Sequence, residues 1–242
     1  MKSIELIVFD IAGTTVKDNG EIVFAFQQAM KEKGYEIPEE KVEPLKGYKK
    51  TDAIRMMLEE YESGTARITE EYINTIHERF LQLMMEHYST TKELQPLPHA
   101  EEVFAYCRSN GIKIGLDTGF STDITNVIID RLAWLKDGKV DYVVSSNEVP
   151  AGRPAPFMIQ KMMKAANVDD PRKVIKLGDT EVDVNEGKNA GCLYSIGVTT
   201  GAFTREALEP YEPSFIIDDL NELIQIIENT KQKEFTSLTI HH

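Results

Sequence analysis

Six short apolar runs alternate with amphipathic helical patterns along most of this chain: Ile4–Phe9, Ile112–Leu116, Tyr142–Ser145, Val174–Leu177, Tyr194–Val198 and Phe215–Ile217. Apolar runs of this length read as buried strands, and strands that alternate with helices require parallel β-α units. The expected fold class is α/β, with a doubly wound, Rossmann-like parallel sheet. Intervening helices are expected at about Ala100–Asn110, closed by Gly111, and at Asp123–Ala133, Pro156–Ala166 and Asp183–Asn189.

One segment breaks the alternation. Residues 17–93 carry helical patterns only, at Ile22–Lys33 (ending at Gly34), Asp52–Glu60 and Thr69–His87, with Ile54, Met57, Leu58 and Tyr61 at helical spacing. The expectation is a catalytic core of residues 1–16 and 94–242 with an all-helical cap domain, 17–93, inserted after the first strand. The linkers would be Val16–Gly20 and Leu94–His99, the second holding Pro96 and Pro98. An insertion that leaves and returns beside one strand's end is placed to act as a lid. The polar tail from Lys231 is expected to fray, and His241 and His242 read as tail rather than metal ligands.

The acidic excess, 40 − 27 = 13 residues, gives a net charge of −13, which argues against general nucleic-acid binding. A small anionic substrate remains compatible, since a local cluster of basic residues suffices. Glu5 interrupts the first apolar stretch and Asp10 ends it, so no signal peptide is expected. There is no run of about 18 apolar residues, so no membrane partner is expected. Two separated cysteines, Cys107 and Cys192, suit a reduced cytoplasmic setting.

Four motifs carry chemistry. Asp10-Ile11-Ala12-Gly13-Thr14-Thr15 ends the first strand, where open α/β sheets bind ligands. Asp10 is a candidate carboxylate nucleophile, Gly13 permits a sharp turn, and Thr14 and Thr15 offer hydroxyls and N–H groups to an anion; taken alone, the segment is equally a strand followed by a turn. Thr118-Gly119 follows the second strand, where a hydroxyl can hold a phosphoryl oxygen. Arg153-Pro154 supplies a cation that could pair with both nucleophile and phosphate, or be solvated. The segment from Gly178 to Asp183 opens a helix with three acids, Asp179, Glu181 and Asp183, which repel one another unless a cation lies among them. Hard oxygen ligands suit Mg²⁺, and an N-cap accounts for only one of the three.

In this order, each at a strand's end, the motifs resemble those of the haloacid dehalogenase superfamily across the whole chain. The resemblance implies that Asp10 is the nucleophile, that Ala12, Gly13, Thr14, Thr118 and Gly119 surround the phosphate, and that Arg153 stands where lysine is commoner. It also implies Mg²⁺ held by Asp10, the Ala12 carbonyl and Asp179, with Asp183 in support. Most phosphatases of the superfamily carry a second aspartate where this chain has Ala12. Such an acid–base group contributes about 10²–10⁴-fold, so an ordinary phosphomonoester should react slowly here. Dehalogenases also lack it, but they need no metal and do not keep the Asp179/Asp183 pattern.

One branch keeps the metal site and has alanine at this place: the phosphonoacetaldehyde hydrolases, or phosphonatases. The chain is similar to them at 10–15, at Thr118-Gly119-Phe120, at Ala151–Pro154, and from Gly178 to Gly191. That branch uses a cap lysine to form a Schiff base with its aldehyde substrate, and the matching residue is Lys50. Lys46, Lys49 and a helix start at Thr51-Asp52 would lower its pKa, with Asp52 opposing if it points inward. Two departures are Lys46, where the branch has methionine, and Ala53, where it has histidine. Three readings stand. The first is a phosphonatase-like hydrolase in which Lys50 forms an imine or grips an anion. The second is a phosphatase for small metabolites with good leaving groups. The third is a catalytically silent phosphate-binding protein. The branch's cap is a dimer surface, which implies a homodimer. Ile22, Phe24, Phe26 and Tyr48 either line the substrate or pack the bundle.

Overall fold

A computed structural model describes residues 4–62, 64 and 67–239, with side chains through residue 232. In chain order the elements are β1 (Leu6–Asp10), α1 (Glu21–Lys31), α2 (Glu39–Val42), α3 (Lys50–Tyr61), α4 (Glu70–Thr90), α5 (Ala100–Ser109), β2 (Lys113–Thr118), α6 (Thr122–Leu132), β3 (Tyr142–Ser145), α7 (Phe157–Ala166), β4 (Val174–Gly178), α8 (Glu181–Ala190), β5 (Tyr194–Val198), α9 (Arg205–Leu208), β6 (Phe215–Ile217) and α10 (Glu222–Thr239). The strands form one sheet in the order β3-β2-β1-β4-β5-β6, and every pairing is parallel.

β1 lies at the centre and is buried throughout. Its alternate residues face opposite layers, as the pleat requires. Ile7 and Phe9 belong to one apolar cluster with Phe104 of α5 and Ile128 of α6. Leu6 and Val8 belong to the other, with Met158, Ile159 and Met162 of α7. Phe104 meets Phe9 edge-on at 5.4 Å between centroids and Trp134 at 5.2 Å. Because its two neighbours, β2 and β4, both follow it in parallel, the strand order reverses beside β1, and a crevice is expected at the carboxyl ends there.

The four helices α1–α4 fall between β1 and β2. Phe26 of α1 packs on Phe80 of α4, with ring centroids 4.4 Å apart. The chain leaves the sheet and returns to it side by side: Val16 bridges Pro96, the Leu97 N–H donates to the Thr15 carbonyl (2.9 Å), and the Lys17 N–H to that of Gln95 (3.2 Å).

The short helices α2 and α9 were not expected, and three further elements differ from the sequence reading. α3 begins at Lys50 rather than Asp52, which places that lysine in the first helical turn. α8 begins at Glu181 rather than Asp183, because Thr180 and Asp183 form a reciprocal capping box. The backbone is helical to Thr239 in α10, where fraying was expected from Lys231. Leu220, Leu223 and Ile227 are buried, so packing against the core holds the start of that helix. His241 and His242 lie outside the described residues. Among those described, no helix is long and apolar enough to cross a membrane, and Cys107 and Cys192 are free thiols.

Candidate active site

Asp10 ends β1 and is 4% exposed. The turn after it is closed on itself. The N–H groups of Gly13, Thr14 and Thr15 bond to carbonyls of Val16 or Ile11 at 2.8–3.3 Å. The Thr15 hydroxyl donates to the Asp10 carbonyl at 2.9 Å and the Ile11 carbonyl at 3.3 Å, and the Thr14 hydroxyl points at Asp179 Oδ1, 3.5 Å away. The turn therefore holds Asp179 and shapes the end of β1, where the sequence suggested an open cradle of hydroxyls. Gly13 is required twice over: its φ is +88°, and a Cβ there would lie 2.5 Å from Asp179 Oδ2.

Asp179 follows β4. The Ala202 N–H donates to its Oδ2 at 2.7 Å. Burial, reinforced by the charges of Asp10 and Asp183, pushes its carboxyl well above the usual carboxylate range. Burial likewise raises Asp10 to about 6, against the pull of Arg153.

Arg153 does not face the cavity. It is 2% exposed and sits among four carboxylates. Its Nη1 lies 2.7 Å from Asp10 Oδ1 and 2.9 Å from Asp183 Oδ1, its Nε lies 3.3 Å from Glu186 Oε2, and its Nη2 pairs with Asp117. Lys176, in the middle of β4, joins the same cluster. It pairs with Asp117 and lies 3.1 Å from both Asp183 Oδ1 and Glu186 Oε2. Asp117, Lys176 and Glu186 were not foreseen. The parallel register sets Asp117 directly beside Asp10, and a lysine inside the apolar run Val174–Leu177 was the available signal.

Asp10, Ala12, Thr118, Gly119 and Asp179 line one cavity from the sheet side, and Ile22, Lys46, Gly47 and Lys50 line it from the insertion; Phe120 and Thr180 complete it. Of the residues singled out in the sequence, Gly13, Thr14, Arg153 and Asp183 stand behind this lining rather than in it. The Thr118 hydroxyl accepts the Phe120 N–H at 3.1 Å, which leaves its own proton to donate. Ile22 both lines the cavity and packs, Phe26 is fully buried, and Phe24 is 57% exposed and does neither.

Lys50 is 2% exposed. Its Nζ donates to the carbonyls of Lys46 and, at 3.3 Å, Tyr48, and lies 4.8 Å from the Phe120 ring centroid. Burial lowers its pKa from 10.5 to about 7; Arg153 and Lys46 push the same way, and Asp10 and Asp18 oppose. The expected cause, neighbouring cations, is thus secondary to desolvation. Lys46 itself is neutralised by Asp18 (2.6 Å) and Glu43 (2.8 Å), and Asp52 is exposed. His77 of α4, lowered to about 4 by burial and by the charges of Lys50 and Lys49, is a neutral imidazole near neutral pH. A ¹³C-lysine NMR titration should show the Lys50 signal moving near pH 7: ammonium below, free amine above. A midpoint near 10 would contradict the desolvated setting.

The donor set fits a hard divalent cation. Asp10 and Asp179 are buried carboxylates, the charge of Asp10 helps raise Asp179, and a cation between them would relieve that repulsion. Asp10, Asp117 and Asp183 also bring oxygens within 4.8 Å of one another. Asp117, however, already faces two cationic side chains, and both oxygens of Asp183 are engaged, Oδ2 by the Thr180 hydroxyl at 2.5 Å and Oδ1 by Arg153 and Lys176. Asp10, whose Oδ1 also meets Arg153, and Asp179, whose Oδ2 also accepts the Ala202 N–H, line the cavity and could hold such an ion.

A family model described as haloacid dehalogenase-like hydrolase matches residues 7–198. A phosphonoacetaldehyde hydrolase of Bacillus mycoides is 34% identical over 244 residues, covering 93% of this chain and 87% of that protein. One from Bacillus cytotoxicus is 30% identical over 269 residues, covering 96% and 98%. The crystal structure of a phosphonoacetaldehyde hydrolase-like protein from Oleispira antarctica superposes with a TM-score of 0.80 over 95% of this chain and 93% of that one, at 23% identity, a likeness of fold.

Proposed function

Since the chain belongs to the haloacid dehalogenase-like hydrolase family, we propose that it is a Mg²⁺-dependent, phosphonatase-like hydrolase that cleaves the C–P bond of phosphonoacetaldehyde or a close relative through an aspartyl-phosphate. The observation that carries this reading is Lys50: a buried lysine with a pKa of about 7 in the same cavity as Asp10. An amine that is half free at neutral pH can attack an aldehyde, whereas an ordinary lysine cannot do so efficiently.

Lys50 adds to the carbonyl carbon and water leaves, giving an imine. Once protonated, the imine takes up the electron pair of the breaking C–P bond as an enamine, while Asp10 Oδ takes the phosphoryl group. No alkoxide leaves, so the side chain at position 12 need not supply a proton, which accounts for Ala12. Water then hydrolyses the aspartyl-phosphate; protonation of the enamine carbon and imine hydrolysis free the aldehyde. Thr118 donates to a phosphoryl oxygen, and Arg153 fixes Asp10 from behind. Mg²⁺, when bound, neutralises charge between nucleophile and phosphoryl group. Residues 17–93 serve as the lid over a core of 1–16 and 94–242.

Borohydride trapping with phosphonoacetaldehyde and Mg²⁺ tests the reading. The expected result is covalent reduction at Lys50, located by peptide mass spectrometry, with phosphate released in the unreduced control. No adduct and no phosphate would overturn it. A second reading is a phosphatase for substrates with good leaving groups, for which the lack of a proton donor at Ala12 matters less and turnover survives Lys50→Ala.

A further inference from the structure

The turn that carries Lys50 is held on two sides. On the sheet side the contact is backbone-tight. The Tyr48 carbonyl lies against Gly119, and Gly47 lies against the side chains of Thr180 and Val182, so closely that a Cβ at either glycine would collide. On the other side the contact is an ion pair. Lys46, where the turn begins, sets its Nζ 2.6 Å from Asp18 Oδ2 and 2.8 Å from Glu43 Oε2, and the side chains of Lys46 and Asp18 are only 10% and 5% exposed. Asp18 is itself fixed. It follows Lys17, whose N–H bonds to the Gln95 carbonyl at the crossing, and its Oδ1 accepts the Gly20 N–H at 3.0 Å. The backbone carbonyl of the same Lys46 accepts the Lys50 Nζ. A continuous path therefore runs from the crossing, through Asp18 and Lys46, to the Lys50 amine.

We infer that Asp18 and Lys46 are a positioning pair: their ion pair ties the Lys46–Lys50 turn to the crossing and so sets the Lys50 amine in the cavity with Asp10. The inference rests on the reading of Lys50 as the reactive amine. Lys46 lines the cavity, but its ammonium already faces two carboxylates, so it serves the turn rather than a substrate anion. Asp18 does not line the cavity and acts through Lys46. A pair this little exposed is screened far less than a surface pair, and removing one partner leaves the other charge in a poorly solvated place. In the sequence Lys46 reads as a cation acting on Lys50 by its charge. The fold gives that charge to Asp18 and Glu43, and gives the Lys46 carbonyl to Lys50.

The test uses the full chain as Asp18→Asn, as Lys46→Met and as the double variant, beside the native protein. Asparagine keeps an acceptor for the Gly20 N–H, and methionine keeps most of the lysine stem, so each change removes charge with little change of shape. Reductive methylation with formaldehyde and cyanoborohydride at about pH 9, read by peptide mass spectrometry, gives the reactivity of Lys50 relative to exposed Lys136. At that pH the Lys50 amine, with a pKa of about 7, is already free, so the ratio reads how firmly the amine is seated. Asp18→Asn and Lys46→Met are each expected to raise it by about tenfold, the fold-change that corresponds to one hydrogen bond between charged groups. The double variant should go no further, because both changes remove the same pair. A role through charge alone predicts another pattern. Asp18 raises the Lys50 pKa and Lys46 lowers it, so near neutral pH the two variants would then move the ratio in opposite directions, and at about pH 9 neither would raise it. With phosphonoacetaldehyde and Mg²⁺, kcat/KM should fall in both single variants. If the native protein does not turn over that substrate, the proposed activity fails while the methylation ratios still decide the positioning role. Should Lys46→Met not fold, the Asp18→Asn ratio alone decides. An unchanged ratio in either folded single variant, shifts of opposite sign, or additive effects in the double variant would overturn the inference.

Discussion

Asp10→Asn is expected to abolish phosphate release from every phosphonate or phosphate substrate, by about 10⁴-fold or more, because an amide oxygen cannot form the covalent intermediate. The substitution is close to isosteric, and Arg153 keeps Asp117, Asp183 and Glu186 as partners. Stability should not fall with activity. In the metal-free protein burial raises the Asp10 carboxyl from 3.8 to about 6. A carboxyl whose folded pKa is raised binds its proton more tightly in the folded than in the unfolded state. Stability is therefore lost as pH rises through the window between those two values, and the cost is complete at pH 7. A neutral amide removes that cost, so chelator-treated Asp10→Asn should melt no lower than the native protein at pH 7. Activity within tenfold of native, measured by phosphate release, would remove Asp10 from the role of nucleophile.

Lys50→Ala should divide two chemistries that Asp10→Asn destroys together. Cleavage of phosphonoacetaldehyde should drop on the order of 10³-fold or more, since a positioned covalent catalyst is lost, and borohydride trapping should vanish. Hydrolysis of 4-nitrophenyl phosphate, whose leaving group needs no proton, should change by less than about tenfold, because Asp10, Asp179 and Thr118 remain. A parallel loss of both activities would instead make Lys50 a cation acting on the phosphoryl group. An unchanged phosphonate rate would remove Lys50 from the role of covalent catalyst. The buried site also removes an objection to the experiment: Lys50 has no carboxylate directly on its Nζ, only the carbonyls of Lys46 and Tyr48, so alanine leaves no buried countercharge orphaned.

The sheet was legible because parallel strands covered on both faces are written as unbroken apolar runs, and all six appear where those runs fall. Lys50 was legible as a position but not as an environment. A lysine-rich turn looks solvated until Phe26, Phe120 and Ile22 are brought over it by α1 and the loop after β2. Arg153 was legible as a cation, yet its partners come from β1, β2 and α8, and that convergence is a property of the register. Asp117 shows the same point: nothing local marks it, and it matters because β2 sets it beside Asp10. The start of α10 was missed although Leu220, Leu223, Ile224 and Ile227 recur at helical spacing, because the polar residues that follow dominate that stretch.

The stitched crossing at Thr15–Lys17 and Gln95–Leu97 bears on how such proteins diversify. The chain departs from the sheet and rejoins it at adjoining points, so the register of β1 against β2 does not depend on what lies between. Any insert whose ends meet at that stitch can be exchanged, lengthened or rebuilt while Asp10 stays where β1 puts it. The residues of the insert and those at the carboxyl ends of the strands are thereby tied to one another by a single crossing, where one segment can be replaced without rebuilding the sheet.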